Sequence, residues 1–151
     1  MEEDSKIEDK INNIEKYLEE LPNIVPAEFE EYRTNFAKKA ACERCAEIII
    51  EAVADLAFLV IKKKNLKVPE EDKEAFEILA GEKIITNEIA SRFREAKGMR
   101  NILAHEYGKV DDAIVFHAVS EELVKDSRAF IDAVNKILGE RKVDKAGDEE
   151  D

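Results

Sequence analysis

The stretch from about Ala27 to Lys64 constrains this chain most. Ala41, Cys45, Ile48, Ala52, Leu56 and Leu59 recur at the spacing of one α-helical face. A second apolar stripe, Ile49, Val53 and Val60, runs beside the first. A helix apolar on more than one face needs more than one neighbour. A core is therefore expected on one side and a candidate second subunit on the other. An early interruption is expected near Arg33 to Asn35.

The flanking segments carry the same period. Ile7, Ile11, Ile14 and Leu18 mark a first helix from about Ser5 to Leu21, closed by the stretch Pro22 to Pro26. Asn65 to Asp72 reads as a loop, and Lys73 to Ala80 as a short helix stopped at Gly81. Thr86 is the expected N-cap of the next helix, with Glu88 in its first turn and Ile89, Phe93, Ala96 and Leu103 facing inward. Gly98 is a candidate break in it. Asp111 or Asp112 is expected to cap a last helix to Leu138, with Phe116, Val119, Leu123, Phe130, Val134 and Ile137 as its stripe. No strand-type alternation and no internal repeat occurs. The expected fold is all-α, an up-and-down bundle of four main helices and a minor fifth.

A chain of 151 residues suits one domain and one closed core. We expect a short flexible lead at 1–4, the helical domain at 5–139, and an acidic disordered tail at 140–151. The net charge of −12 argues at first against nucleic acid as a partner. That charge is uneven. Residues 1–31 hold eleven acids and three lysines, and residues 140–151 hold six acids and three bases. The body between is close to neutral. Within it, Arg92, Arg94, Lys97, Arg100 and Lys109 outnumber Glu88, Glu95 and Glu106, so a small basic site on an acidic molecule is compatible with the sequence. No apolar run is long enough for a membrane helix, and the start Met-Glu-Glu-Asp lacks the features of a signal peptide. A cytoplasmic protein with two reduced thiols is expected.

Residues 100–107 read Arg-Asn-Ile-Leu-Ala-His-Glu-Tyr. Arg offers a permanent, forked cation that fits phosphate oxygens, and His exchanges a proton near neutral pH. Asn and Tyr add neutral hydrogen bonds. RNA brings its own nucleophile, the 2′-hydroxyl. Its cleavage needs a base, an acid for the leaving oxygen and positive charge on the phosphorane. One chain supplies one Arg and one His, and a symmetric dimer would supply two of each. Five residues apart, Arg100 and His105 point about 140° apart on a regular helix. They converge only if the helix ends near Ala104. The alternative is that these groups merely cap carbonyls or pair with acids.

The segment, followed by Gly-Lys-Val-Asp, resembles the R-x4-H-x-Y signature of HepT-type toxins of the HEPN superfamily. The runs AACERCAEIIIEAVADLA at 40–57 and ILAGEKIITNEIASRFREAKGMRNILAHEY at 78–107 resemble the same family. The resemblance spans most of residues 5 to 138. It implies a homodimeric, metal-independent endoribonuclease toxin that needs no cofactor. Arg100 and His105 would be the catalytic pair and Asn101 the polar neighbour. Tyr107 would be the residue to which a cognate minimal nucleotidyltransferase antitoxin transfers AMP. Adding AMP there would place bulk and negative charge beside the pair and repel RNA.

Asp55 lies in an apolar run. It is either a buried carboxylate partnered by Arg100 or His105, or a surface acid paired with a lysine. Cys42 and Cys45 form a C-x-x-C without the context of a redox or zinc site, and small buried residues are the better reading. His117 and Glu121 are four apart, but a surface or interface histidine is favoured over a metal ligand. Lys62 to Lys64 suit a helix C-terminus. Beside the ribonuclease reading stand a non-catalytic HEPN module that binds nucleotides or partners, and a purely structural helical adaptor.

Overall fold

Asn35 cuts the second helical stretch in two. Its backbone is extended (φ −95°, ψ 97°), and its side chain accepts a hydrogen bond from the Lys38 amide at 3.0 Å. That cap starts a new helix where the old one stops. In the computed structural model, which describes residues 2–150 apart from the side chains of Tyr107 and 140–150, the elements are helical throughout. They are α1 (Glu2–Ile24), α2 (Phe29–Thr34), α3 (Phe36–Lys63), α4 (Asp72–Gly81) and α5 (Asn87–His105). A 3-10 turn (Tyr107–Lys109), α6 (Asp112–His117), a π turn (Ala118–Glu122) and α7 (Leu123–Glu150) follow. No strand occurs among the described residues. The acidic tail expected at 140–151 lies outside the described side chains.

The long helices α1, α3, α5 and α7 make the bundle, and α4 is its minor fifth member. The centre is α3, which packs against α1 on one side and α4 and α5 on the other, with α2 and α7 also touching it. Both of its apolar faces are thus covered by this chain. Ile48, Phe58 and Leu59 of α3 nonetheless stay partly exposed. Ala41, expected in the main stripe, is exposed, and Cys42, Ile49, Ile50 and Val53 are buried. Phe76 of α4, Phe93 of α5 and Phe130 of α7 meet with ring centroids 5.4 to 6.0 Å apart, an aromatic triad that ties three helices together.

Four features differ from expectation. The first helix begins at Glu2 rather than Ser5, and it runs through Pro22 to Ile24. Pro22 removes only one bond near the end, and the Val25 amide still reaches the Leu21 carbonyl at 3.1 Å. Gly98 does not break α5. The last helix contains a π turn. There the Ser120 hydroxyl donates to the Phe116 carbonyl at 2.6 Å, competing for an acceptor an α-helical amide would use. Thr86 caps α5 by accepting from the Ile89 amide, and Asp111 caps α6 by accepting from Ala113 and Ile114, both as expected. No helix among the described residues is long and apolar enough to cross a membrane.

Candidate active site

Arg100, Asn101 and His105 fall on the last turn and a half of α5, and Tyr107 follows in the 3-10 turn. The buried positions of α5 are Ala90, Phe93, Lys97 and Leu103, so the helix packs a lysine where the period asks for an apolar residue. Lys97 is only 9% exposed. Its ammonium contacts Asp72 Oδ2 at the start of α4, at 2.6 Å, and also the Glu51 carboxylate of α3. Desolvation pulls the Lys97 pKa down, but the bonds to Asp72 and Glu51 outweigh it and leave the pKa raised. A cation is thus fixed among three helices by two carboxylates.

Glu51 serves a second cation. Arg100 Nε lies 2.9 Å from Glu51 Oε1. This is an ion pair by distance, but the buried Nε–H points off the line to the oxygen and makes no hydrogen bond. Arg100 keeps about a quarter of its side chain exposed. It faces a cleft of about 340 Å³ between α1, α3 and α5, also lined by Lys10, Asn13, Arg44, Glu47 and Asp55. Its Nη1 is 3.5 Å from Asn101 Oδ1, a long contact, and Asn101 also lines a smaller cleft with Asp72, Lys73 and Lys97.

His105 ends α5 and is exposed. Its side chain makes no hydrogen bond or ion pair among the described residues. α5 ends at His105, one residue beyond Ala104; Arg100 and His105 are still both within it, and five residues of regular helix set side chains about 140° apart. His105 is not among the residues lining the Arg100 cleft. One chain therefore presents the two groups on different sides of the helix end. The side chain of Tyr107 lies outside the described residues; its backbone begins the 3-10 turn.

Asp55 is an exposed acid paired with Lys10 at 3.4 Å, so of its two readings the surface pair is found and the buried partner of Arg100 or His105 is not. The carboxylate that holds Arg100 is Glu51, one helical turn earlier. Sequence reasoning passed over it, along with Lys97 and Asp72. A lysine on the buried period of α5 was the available signal, because such a charge needs an acid nearby. Cys42 and Cys45 are buried, free thiols facing α1 through the Ile24 and Tyr17 carbonyls. Burial, reinforced by Cys45 and Glu43, pushes Cys42 up to about 11. His117 is a surface histidine, 3.4 Å from Glu121 and 3.2 Å from Glu122.

Comparison with known proteins supplies the family. The family described as Ribonuclease HepT-like matches residues 10–137. The tRNA nuclease HepT of Aphanizomenon flos-aquae is 30% identical over 114 residues, 76% of this chain and 78% of that protein. The mRNA nuclease HepT of Shewanella oneidensis is 30% identical over 92 residues, 61% of this chain and 65% of that one. Among solved structures, a tri-AMPylated Shewanella oneidensis HEPN toxin in complex with its MNT antitoxin superposes with a TM-score of 0.80 at 24% identity, over 86% of this chain and 96% of that one. A toxin–antitoxin structure with AMP-PNP gives the same TM-score at 23% identity, over 86% and 97%. These structures share the bundle fold seen here. The chain belongs to the Ribonuclease HepT-like family.

Proposed function

We propose that this chain is the toxin of a toxin–antitoxin pair, a metal-independent endoribonuclease that works in the cytoplasm as a homodimer. The observation that carries this reading is the position of the signature. In a chain matched by the family over residues 10–137, an unpartnered, exposed His105 ends the helix on which Arg100 is held by Glu51. Since one chain presents the two groups on different sides of α5, the site is completed by the Arg100 and His105 of a second copy.

The chemistry balances without a metal. One imidazole takes the proton of the RNA 2′-hydroxyl, whose oxygen attacks the adjacent phosphorus. The bond from phosphorus to the 5′-oxygen breaks, and a second imidazole in its protonated form supplies the proton to that oxygen. The products are a 2′,3′-cyclic phosphate and a 5′-hydroxyl. The Arg100 guanidinium stabilises the charge that builds on the phosphorane. Asn101 supports it from the neighbouring position, and Asp55 lies in the same cleft as the partner of Lys10.

The relatives' partner suggests the control. A minimal nucleotidyltransferase antitoxin transfers AMP from ATP to the Tyr107 hydroxyl, two residues beyond His105, releasing pyrophosphate and blocking the site with bulk and negative charge. Intact mass after co-expression with the candidate antitoxin tests both halves. AMP-sized additions that disappear in Tyr107→Phe are expected, together with chelator-resistant RNA cleavage by the unmodified protein. Cleavage abolished by chelator, or unchanged in both Arg100→Ala and His105→Ala, would overturn the reading.

A further inference from the structure

We infer that Glu51 is the positioning residue of the Arg100 guanidinium, itself held in place by Lys97 and, through it, by Asp72. The inference deepens the nuclease reading and rests on it for its kinetic part.

The geometry runs across three helices. Glu51 comes from the middle of α3, Lys97 and Arg100 from one face of α5, and Asp72 from the first turn of α4. The same carboxylate oxygen, Glu51 Oε1, is shared by the Lys97 ammonium and Arg100 Nε. A carboxylate on a solvated helix has many rotamers. One whose oxygen is held by an ammonium nine-tenths buried has few, because releasing Lys97 would strand that charge away from water. Asp72 anchors the other side of the ammonium at 2.6 Å.

The orientation of Arg100 follows. Glu51 faces the Nε side of the guanidinium, and Nε itself is buried. The two Nη groups are left as the forked donor for an anion in the cleft, contested among the described residues only by the long contact to Asn101. The positive charge of an arginine needs no neighbour to maintain it. What Glu51 supplies is direction, so its removal leaves a charged but unaimed Arg100. An exposed, unheld arginine would lose that advantage to side-chain freedom.

The test compares Glu51→Gln with Asp72→Asn in the full chain. Both weaken the hold on Lys97, but only the first removes the carboxylate facing Arg100. RNA cleavage is expected to fall by about ten- to a hundred-fold in kcat in Glu51→Gln and several-fold less in Asp72→Asn. Glu51→Gln added to Arg100→Ala should cost nothing further. A second readout is independent of activity: the 15N–Hε signal of Arg100, assigned by its loss in Arg100→Lys. Nε is buried without a hydrogen bond, so its protection rests on Glu51 keeping the guanidinium in place: exchange with water should be slow in the wild type and in Asp72→Asn, and fast in Glu51→Gln. If Glu51→Gln does not fold, Glu51→Asp replaces it. That variant keeps the charge but withdraws it by one methylene, and its exchange should be intermediate. Equal kinetic losses in the glutamate and Asp72 variants overturn the inference, as does an Arg100 Nε–H that exchanges as slowly without the Glu51 carboxylate as with it. A wild-type protein that cuts no RNA while the exchange pattern holds refutes the nuclease reading and leaves the positioning role standing.

Discussion

Lys97 Nζ lies 2.6 Å from Asp72 Oδ2, joining the middle of α5 to the first residue of α4 under a surface that leaves the lysine 9% exposed. With Glu51 as its second partner, this ammonium closes the region from which Arg100 emerges. Lys97→Met removes the cation and leaves two partly buried carboxylates facing each other. The expected cost is about 2 kcal/mol, read from the midpoint of urea unfolding.

The same lysine sets an upper pH limit. Its folded pKa lies above the ordinary lysine value of 10.5, because its carboxylate partners outweigh its desolvation. The folded state then holds its proton more tightly than the unfolded state, so the stabilisation is complete below 10.5 and is lost as pH rises through the folded value. Melting temperature measured between pH 9 and 12 should fall more steeply in the wild type than in Lys97→Met. Parallel slopes would refute this.

His105 is exposed and without a described partner, so its loss should leave the fold alone. His105→Ala is expected to lower RNA cleavage by at least about a hundred-fold while unfolding shifts by less than about 0.5 kcal/mol. Rate and melting curve measured on one preparation separate the two effects.

Because Arg100 and His105 diverge within one chain, activity should require the dimer. Mixing inactive Arg100→Ala with inactive His105→Ala protein should restore part of the cleavage if one copy's arginine works with the other copy's histidine. An assay on the mixture, with sedimentation velocity on each variant, gives the answer. No recovery from variants that exchange subunits would mean that each working pair comes from one chain.

The aromatic triad carries the core. Phe130 is fully buried, 5.6 Å from Phe93 and 6.0 Å from Phe76 by ring centroids. Phe130→Ala should cost about 3–5 kcal/mol in chemical denaturation. Cys42, buried and with its thiol pushed up to about 11, should resist a thiol reagent at pH 8 until the protein unfolds.

Some of this was legible without coordinates. The stripe Ile7, Ile11, Ile14 and Leu18 is buried as its period requires. Thr86 and Asp111 cap the helices they precede, because a cap depends on the side chain's own next few amides. The segment from Arg100 to Tyr107 was likewise legible as a combination of residue types. Its place at and just beyond the end of α5 needed only local periodicity.

Other features depended on helices far apart in sequence. Asp55 and Glu51 are both acids in the apolar stretch of α3, and nothing local distinguishes the one that pairs with Lys10 from the one that meets Arg100. That α4 and α5 pack on α3 opposite α1 was not legible either. By itself the sequence determined the helical periods, most of the caps and the order of the elements, since these arise from neighbours within a turn or two. Only the tertiary structure decided which carboxylate holds which cation, because burial and ion pairing depend on the rotation of one packed helix against another.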